Sequence, residues 1–346
     1  MKLGLLPGKF SGRYAIDMDL VREAEDLGFD SAWTSEAWGN AAITPATWIL
    51  ANTTKLKVGT AIIQMAARTP SMAAMTAMTL HDLSGGRFIL GIGPSGPQVI
   101  EGWHGQAFGR PVARTREYIE IIREILKREA PLKHEGRHYQ IPFDGVGSTG
   151  LGKPLKSIMH GDPSMQIYTA AITPAGLRVS GELADGGFPI YMDPNQFEII
   201  GAPLQEGFTK AGSGKSLLDY KVSPFVAVEV GDDIEACRAP VKREMALYIG
   251  GMGARDKNYY NDYAKKLGFE AAAQQIQDYF LAGRRTEAEA AVPNDLVDAV
   301  ALVGPKERIM ERIGVWKEAG AKGYIDTMVI RRPTRESMRT IAEAVL

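Results

Sequence analysis

Leu83-Ser84-Gly85-Gly86-Arg87-Phe88-Ile89-Leu90-Gly91-Ile92-Gly93-Pro94-Ser95-Gly96 is the stretch whose reading decides the fold. Gly85 and Gly86 signal a turn, Arg87 to Gly93 is an apolar run of strand length, and the glycines after it form a loop at the carboxyl end of that strand. Proteins of the α/β class place ligands there. Gly91, Gly93 and Gly96 also spell the dinucleotide pattern G-x-G-x-x-G. A dinucleotide fingerprint belongs to the first strand of its unit, and its last glycine opens a helix on whose N-terminus the pyrophosphate rests. Here three strand-like runs come earlier. Pro97 and a loop containing Gly102, Gly105 and Gly109 follow, and the next clear helix begins near Val112. The order favours a barrel loop over a nucleotide fold.

Working outward, short apolar runs alternate with helical patterns. Strands are expected over Lys2–Pro7, Asp30–Glu36, Leu56–Gln64, Arg87–Gly93, Met165–Ala171, Gly187–Met192, Tyr220–Val230 and Gly323–Ile330. Eight strands, each followed by helix, predict an α/β chain folded as a (β/α)8 TIM barrel with loop insertions at its C-terminal face. Residues 1–346 read as one domain, with insertions about 132–157 and 232–303, the second mostly helical to about Val303. A doubly wound sheet with a second domain would show the same elements without closing them.

Composition narrows the function. The chain has 346 residues, 45% hydrophobic and 23% charged, with net charge −1. Without a basic field or a basic run interleaved with aromatics, a nucleic-acid or membrane-surface partner is not expected. No apolar run is long enough to cross a bilayer. The single cysteine, Cys237, excludes an internal disulfide, and the N-terminus is strand-like rather than a signal peptide, so a cytoplasmic address is expected.

Two further motifs imitate chemistry. His134-Glu135-Gly136-Arg137-His138 spells the zinc-protease pattern H-E-x-x-H. That chemistry needs both histidines one helical turn apart. A glycine sits inside the motif and Tyr139, Ile141 and Phe143 alternate after it, which predicts a solvent-facing hairpin tip and no metal. Gly212-Ser213-Gly214-Lys215-Ser216 resembles the end of a phosphate loop, but Thr209 stands where the pattern requires glycine, and a helix rather than a strand precedes it.

Taken together, Val58-Gly59-Thr60-Ala61-Ile62-Ile63 through Arg68-Thr69-Pro70, Gly85-Gly86-Arg87-Phe88 through Gly96, Tyr168-Thr169-Ala170-Ala171, Gly181-Glu182-Leu183-Ala184-Asp185-Gly186, Leu302-Val303-Gly304-Pro305-Lys306-Glu307-Arg308 and Glu318-Ala319-Gly320-Ala321 resemble the luciferase-like monooxygenase superfamily. Ser95-Gly96-Pro97-Gln98-Val99-Ile100-Glu101-Gly102-Trp103-His104-Gly105 resembles its branch of oxidoreductases that use the deazaflavin coenzyme F420. The resemblance implies a cofactor at the carboxyl ends of the barrel strands, F420 with FMN as the alternative, a small-molecule substrate and a homodimer. It implies a non-proline cis bond at Ala61–Ile62 behind the ring. Pro94, Ser95 and Gly96 would lie along the ribityl and phosphate portion, and Ala170, Ala171 and Ile172, before the helix at Thr173-Pro174, at the phosphate. Glu36 falls at the ring's polar edge, as a proton donor or acceptor or as a structural carboxylate. Trp38, Trp103 and His104 would line the substrate pocket. Several relatives carry a catalytic histidine just after the acidic position; here that residue is Ala37. With F420 the implied activity is hydride transfer; with FMN it is monooxygenation. A closed carrier of either cofactor is a third reading.

Overall fold

The computed structural model describes residues 1–10 and 12–346. The strands β1 (Lys2–Leu6), β2 (Ser31–Thr34), β3 (Lys57–Thr60), β4 (Phe88–Gly93), β5 (Ile167–Thr169), β6 (Gly186–Gly187), β7 (Lys221–Val222 continuing as Phe225–Val230) and β8 (Thr327–Arg331) pair in sequence order, all parallel. β8 returns to β1, with Lys2 opposite Thr327. The barrel closes because β7 serves both ends of the sheet: Lys221–Val222 pairs with β6 and Phe225–Val230 with β8. Pro224 interrupts β7, yet the ladder runs through it. Ser223 N–H donates to Gly187 O (2.9 Å), Phe225 N–H to Pro189 O (3.1 Å) and Val329 N–H to Pro224 O (3.0 Å).

Aromatic side chains fill the barrel. Trp33, Ile89, Tyr168, Phe188 and Val329 form an inner cluster with Ala61. The Phe188 ring meets Trp33 edge-on at 4.8 Å and stacks on Phe225 at 5.3 Å. Such bulk fits because two strand positions are glycine: a side chain at Gly59 would overlap the Trp33 ring, and one at Gly91 the Thr60 carbonyl oxygen. Thr60 Oγ1 accepts from Gly91 N–H (2.9 Å) and donates to Gly91 O (2.7 Å), locking β3 to β4. The larger apolar core lies between strands and outer helices. At the N-terminal end Lys57 pairs with Asp30 (3.1 Å) and Lys2 and Lys221 with Asp326 (3.5 and 3.7 Å).

Part of the opening motif is structural. Gly85 and Gly86 turn with φ of 65° and 87°. Arg87 then reaches back to the carbonyls of Ser84 (3.0 Å), Leu50 (3.0 Å) and Leu56 (2.8 Å), satisfying the end of helix Ile43–Ala51.

The structure corrects three expectations. Gly96 is followed directly by a short helix, Pro97–Gly102, with Pro97 in its first turn, rather than by open loop to Val112. Ala301–Gly304, read as helix, is a strand pairing with Ala227–Val230 outside the closed ring. The first insertion follows helix Pro111–Lys127, so it leaves the barrel from the end opposite the mouth and climbs back along that helix; a side chain at Gly109 would meet His138 at 2.9 Å. Its hairpin, His134–Glu135 against Gln140–Ile141, is as expected, with Glu135, Gly136 and Arg137 at the tip exposed to solvent while the turn's backbone is fastened from beneath. Glu117 accepts the N–H groups of Arg137 (3.0 Å), His138 (2.9 Å) and Tyr139 (3.1 Å). The Gly212–Ser216 segment is a turn in which Lys215 Nζ donates to Ala184 O (2.6 Å). Among the described residues no helix is long and apolar enough to cross a membrane.

Candidate active site

Three expected cofactor segments converge at the carboxyl ends of β3, β4 and β5. The Ala61–Ile62 peptide bond is cis. Beyond it, Ile63–Gln64 pairs with Ile92–Gly93 of β4, and Ala170 N–H donates to Ile92 O (3.0 Å). A Cβ at Gly93 would meet Ile62 Cγ1 at 2.9 Å and Ala170 Cβ at 3.4 Å, so glycine here lets the strand ends close up. Pro94, Ser95 and Gly96 follow at the rim, Ser95 with a left-handed φ of 59°. Ala170, Ala171 and Ile172 lead into helix Pro174–Leu183, where Thr173 Oγ1 accepts from Gly176 N–H (3.1 Å). The small side chains of Ala170 and Ala171 thus stand shortly before the N-terminus of a ten-residue helix.

Glu36 stands on the loop after β2. Asn40 Nδ2 donates to Ser35 O (2.8 Å) and Thr34 Oγ1 to Ala42 O (2.8 Å), tying that loop down. Oε1 of Glu36 accepts from Gln64 N–H (2.8 Å) and Arg68 Nη1 (2.5 Å); Oε2 accepts from Ala42 N–H (3.0 Å) and Arg68 Nη2 (3.0 Å). A carboxylate offers about four lone-pair sites, and all four are used. The geometry therefore favours the structural role for Glu36 over proton transfer.

Arg68 and Gln64 were not picked out as site residues from the sequence. Gln64 is fully buried and bridges two segments: its Nε2 donates to Ala37 O (2.7 Å) and its Oε1 meets His104 Nε2 (2.8 Å). His104 is thereby drawn to the end of β3. Trp38 and Trp103 are 54% and 65% exposed and stand free at the rim.

The opposite rim carries a second polar and aromatic cluster. Arg331, the last residue of β8, pairs with Glu244, which also meets Arg332 Nη2 (3.2 Å) and accepts from Tyr191 Oη (3.3 Å). Tyr248 packs edge-on against Tyr191 and Tyr260. Burial pushes the Tyr191, Tyr248 and Tyr260 hydroxyls above their ordinary range. Tyr263 is buried in the inserted helices and Tyr259 is partly exposed.

Comparison with known proteins agrees with this fold. The family model described as luciferase-like monooxygenase matches residues 7–323. A Mycobacterium tuberculosis protein provisionally described as a coenzyme F420-dependent oxidoreductase is 40% identical, covering 100% of this chain and 99% of its own length. The 5,10-methylenetetrahydromethanopterin reductase of Archaeoglobus fulgidus is 25% identical over 94% of this chain and 93% of its own. Among solved structures, the coenzyme F420-dependent tetrahydromethanopterin reductase of Methanopyrus kandleri superposes with a TM-score of 0.77 at 22% identity, covering 100% of this chain and 97% of that one. The chain belongs to the luciferase-like monooxygenase family.

Proposed function

We propose that this protein is an F420-dependent oxidoreductase that moves hydride between the deazaflavin and a small organic substrate. The observation that carries the cofactor choice is the full-length similarity to the mycobacterial F420 relative. The mouth is compatible with it: a ring could rest against Ala61 and Ile62, a ribityl chain along Pro94, Ser95 and Gly96, and a phosphate at Ala170, Ala171 and Ile172 before the helix N-terminus. When bound, F420 supplies a hydride acceptor or donor at its C5 position. The chain's own part is positioning. Glu36 and Arg68 hold the loop after β2 against the end of β3, and Trp38 and Trp103 stand where a substrate would enter.

Fluorescence titration of the purified protein with F420 and with FMN tests this. Micromolar F420 binding without FMN binding is expected. FMN binding alone, with oxygen uptake when reduced FMN is supplied, would replace this reading with a monooxygenase.

A homodimer completes the proposal. Trp48, Met72 and Met75 are each more than half exposed on the outer helices Ile43–Ala51 and Pro70–Leu83. Apolar surface of this kind suits a copy of the same chain. Sedimentation equilibrium should return a dimer for the wild type and a monomer for the double variant Trp48→Lys, Met75→Lys; a wild-type monomer would end the idea.

A further inference from the structure

His104 meets Gln64 through Nε2, and the orientation of the Gln64 amide settles which atom carries the hydrogen. The Ala37 carbonyl oxygen can only accept, so the group 2.7 Å from it must be the Gln64 NH2. Gln64 Oε1 then faces His104 Nε2 at 2.8 Å, and an amide oxygen can only accept. Nε2 must be the N–H. In the neutral ring that leaves the lone pair on Nδ1. Among the described residues nothing bonds to Nδ1, and it is not among the buried unpartnered atoms, so it keeps access to solvent.

From this we infer that His104 is the proton-transfer group of the site and that Gln64 is the positioning residue that holds it in the Nε2–H tautomer. The inference deepens the redox reading above and rests on it. Gln64 lies two residues beyond the Ala61–Ile62 bond, which brings the imidazole beside the region proposed for the ring. The charged groups on the elements packed around it are Glu36 and Arg68, which neutralise one another, and Glu101 on the short helix before it, which accepts from Phe108 N–H (3.3 Å). For a substrate bearing a carbinol, the C–H and O–H bonds break and a C=O bond forms. The hydride, with two electrons, leaves to a 5-deazaflavin, and the hydroxyl proton passes to Nδ1. The resulting imidazolium keeps its Nε2–H on Gln64. In the reverse direction Nδ1–H returns the proton. Ala37, at the position where relatives carry their histidine, contributes the carbonyl that sets this amide.

The tautomer can be read without cofactor or substrate, by long-range 1H–15N correlation spectra of the five histidines, with His104 assigned through the signals lost in His104→Gln. The wild type should show Nε2–H alone above its titration midpoint. Gln64→Leu should populate both tautomers. Gln64→Glu should keep Nε2–H and move the midpoint to higher pH, because a carboxylate at that distance favours the imidazolium. An Nδ1–H form or an even mixture in the wild type overturns the inference, as does a single tautomer retained in Gln64→Leu. The wild-type tautomer needs only the folded His104→Gln variant for its assignment, and a failed F420 titration would leave the tautomer result standing.

Discussion

Glu36 and Glu117 are both buried carboxylates that gather backbone amides from distant segments, and they differ in what stands beyond the amides. Glu36 takes two N–H groups and a bidentate arginine, and one of those N–H groups belongs to Gln64, which holds His104. Glu117 takes three consecutive N–H groups of the hairpin turn, with the His134 imidazole Nε2 3.6 Å away and, among the described residues, no arginine paired to it. The same chemistry builds a wall of the candidate site in one place and fastens an insertion to its helix in the other. A buried carboxylate in this fold is therefore weak evidence of catalysis; its free lone pairs and its neighbours decide.

The sharpest way to break the comparison is Glu36→Ala. It leaves Arg68, only 22% exposed, without its partner, and two amides without an acceptor. Breaking a pair of this kind costs about 3 kcal/mol. Urea denaturation should return that loss, and the same variant should bind F420 less tightly, since the loop after β2 and the end of β3 lose their common anchor. Unchanged stability would mean that the pair holds nothing together; lost stability with unchanged F420 affinity would separate Glu36 from the site.

Such pairings also mark where sequence reading stops. Periodicity gave the eight strands because buried parallel strands are short apolar runs bounded by glycine and proline, as at Gly85-Gly86 before β4. It missed Ala301–Gly304 because helix Asn294–Val300 passes into that strand with no turn residue between them, leaving one continuous apolar pattern. It missed helix Pro97–Gly102 because six residues flanked by glycines carry too little periodicity, although Pro97 just after Gly96 was a usable start signal. Gly91 and Gly93 of β4 spell part of a dinucleotide pattern in the sequence. They instead make room for Thr60 and Ile62 of the neighbouring strand, a demand that exists only once strands are side by side. The Glu36–Arg68 pair spans 32 residues and no local pattern encodes it. Gln64 reads as one more strand residue, because nothing in its spacing reveals that its amide is caught between Ala37 and His104.

The smaller effect belongs to Glu117, and its pH dependence sharpens the contrast. Burial alone would push the Glu117 carboxyl up; the amides of His138, Arg137 and Tyr139 outweigh it and hold the group below its ordinary value. A carboxyl whose folded pKa is depressed adds stability that is present above its unfolded value, about 4.3, and is lost as pH falls through the folded value. Glu117→Gln turns an NH2 group toward at least one hairpin N–H, which should cost about 1–3 kcal/mol at neutral pH. The gap between wild type and variant should stay constant down to about pH 4.5 and close below it. Hydrogen exchange should quicken at Arg137, His138 and Tyr139, while F420 affinity stays at the wild-type value, because the hairpin's His138 meets the chain at Gly109 and Arg110, away from the strand ends. A gap that persists undiminished to pH 3 would mean that the amides do not depend on the ionised carboxylate. A loss of F420 affinity would mean that the hairpin reaches the candidate site and that the two carboxylates serve one structure after all.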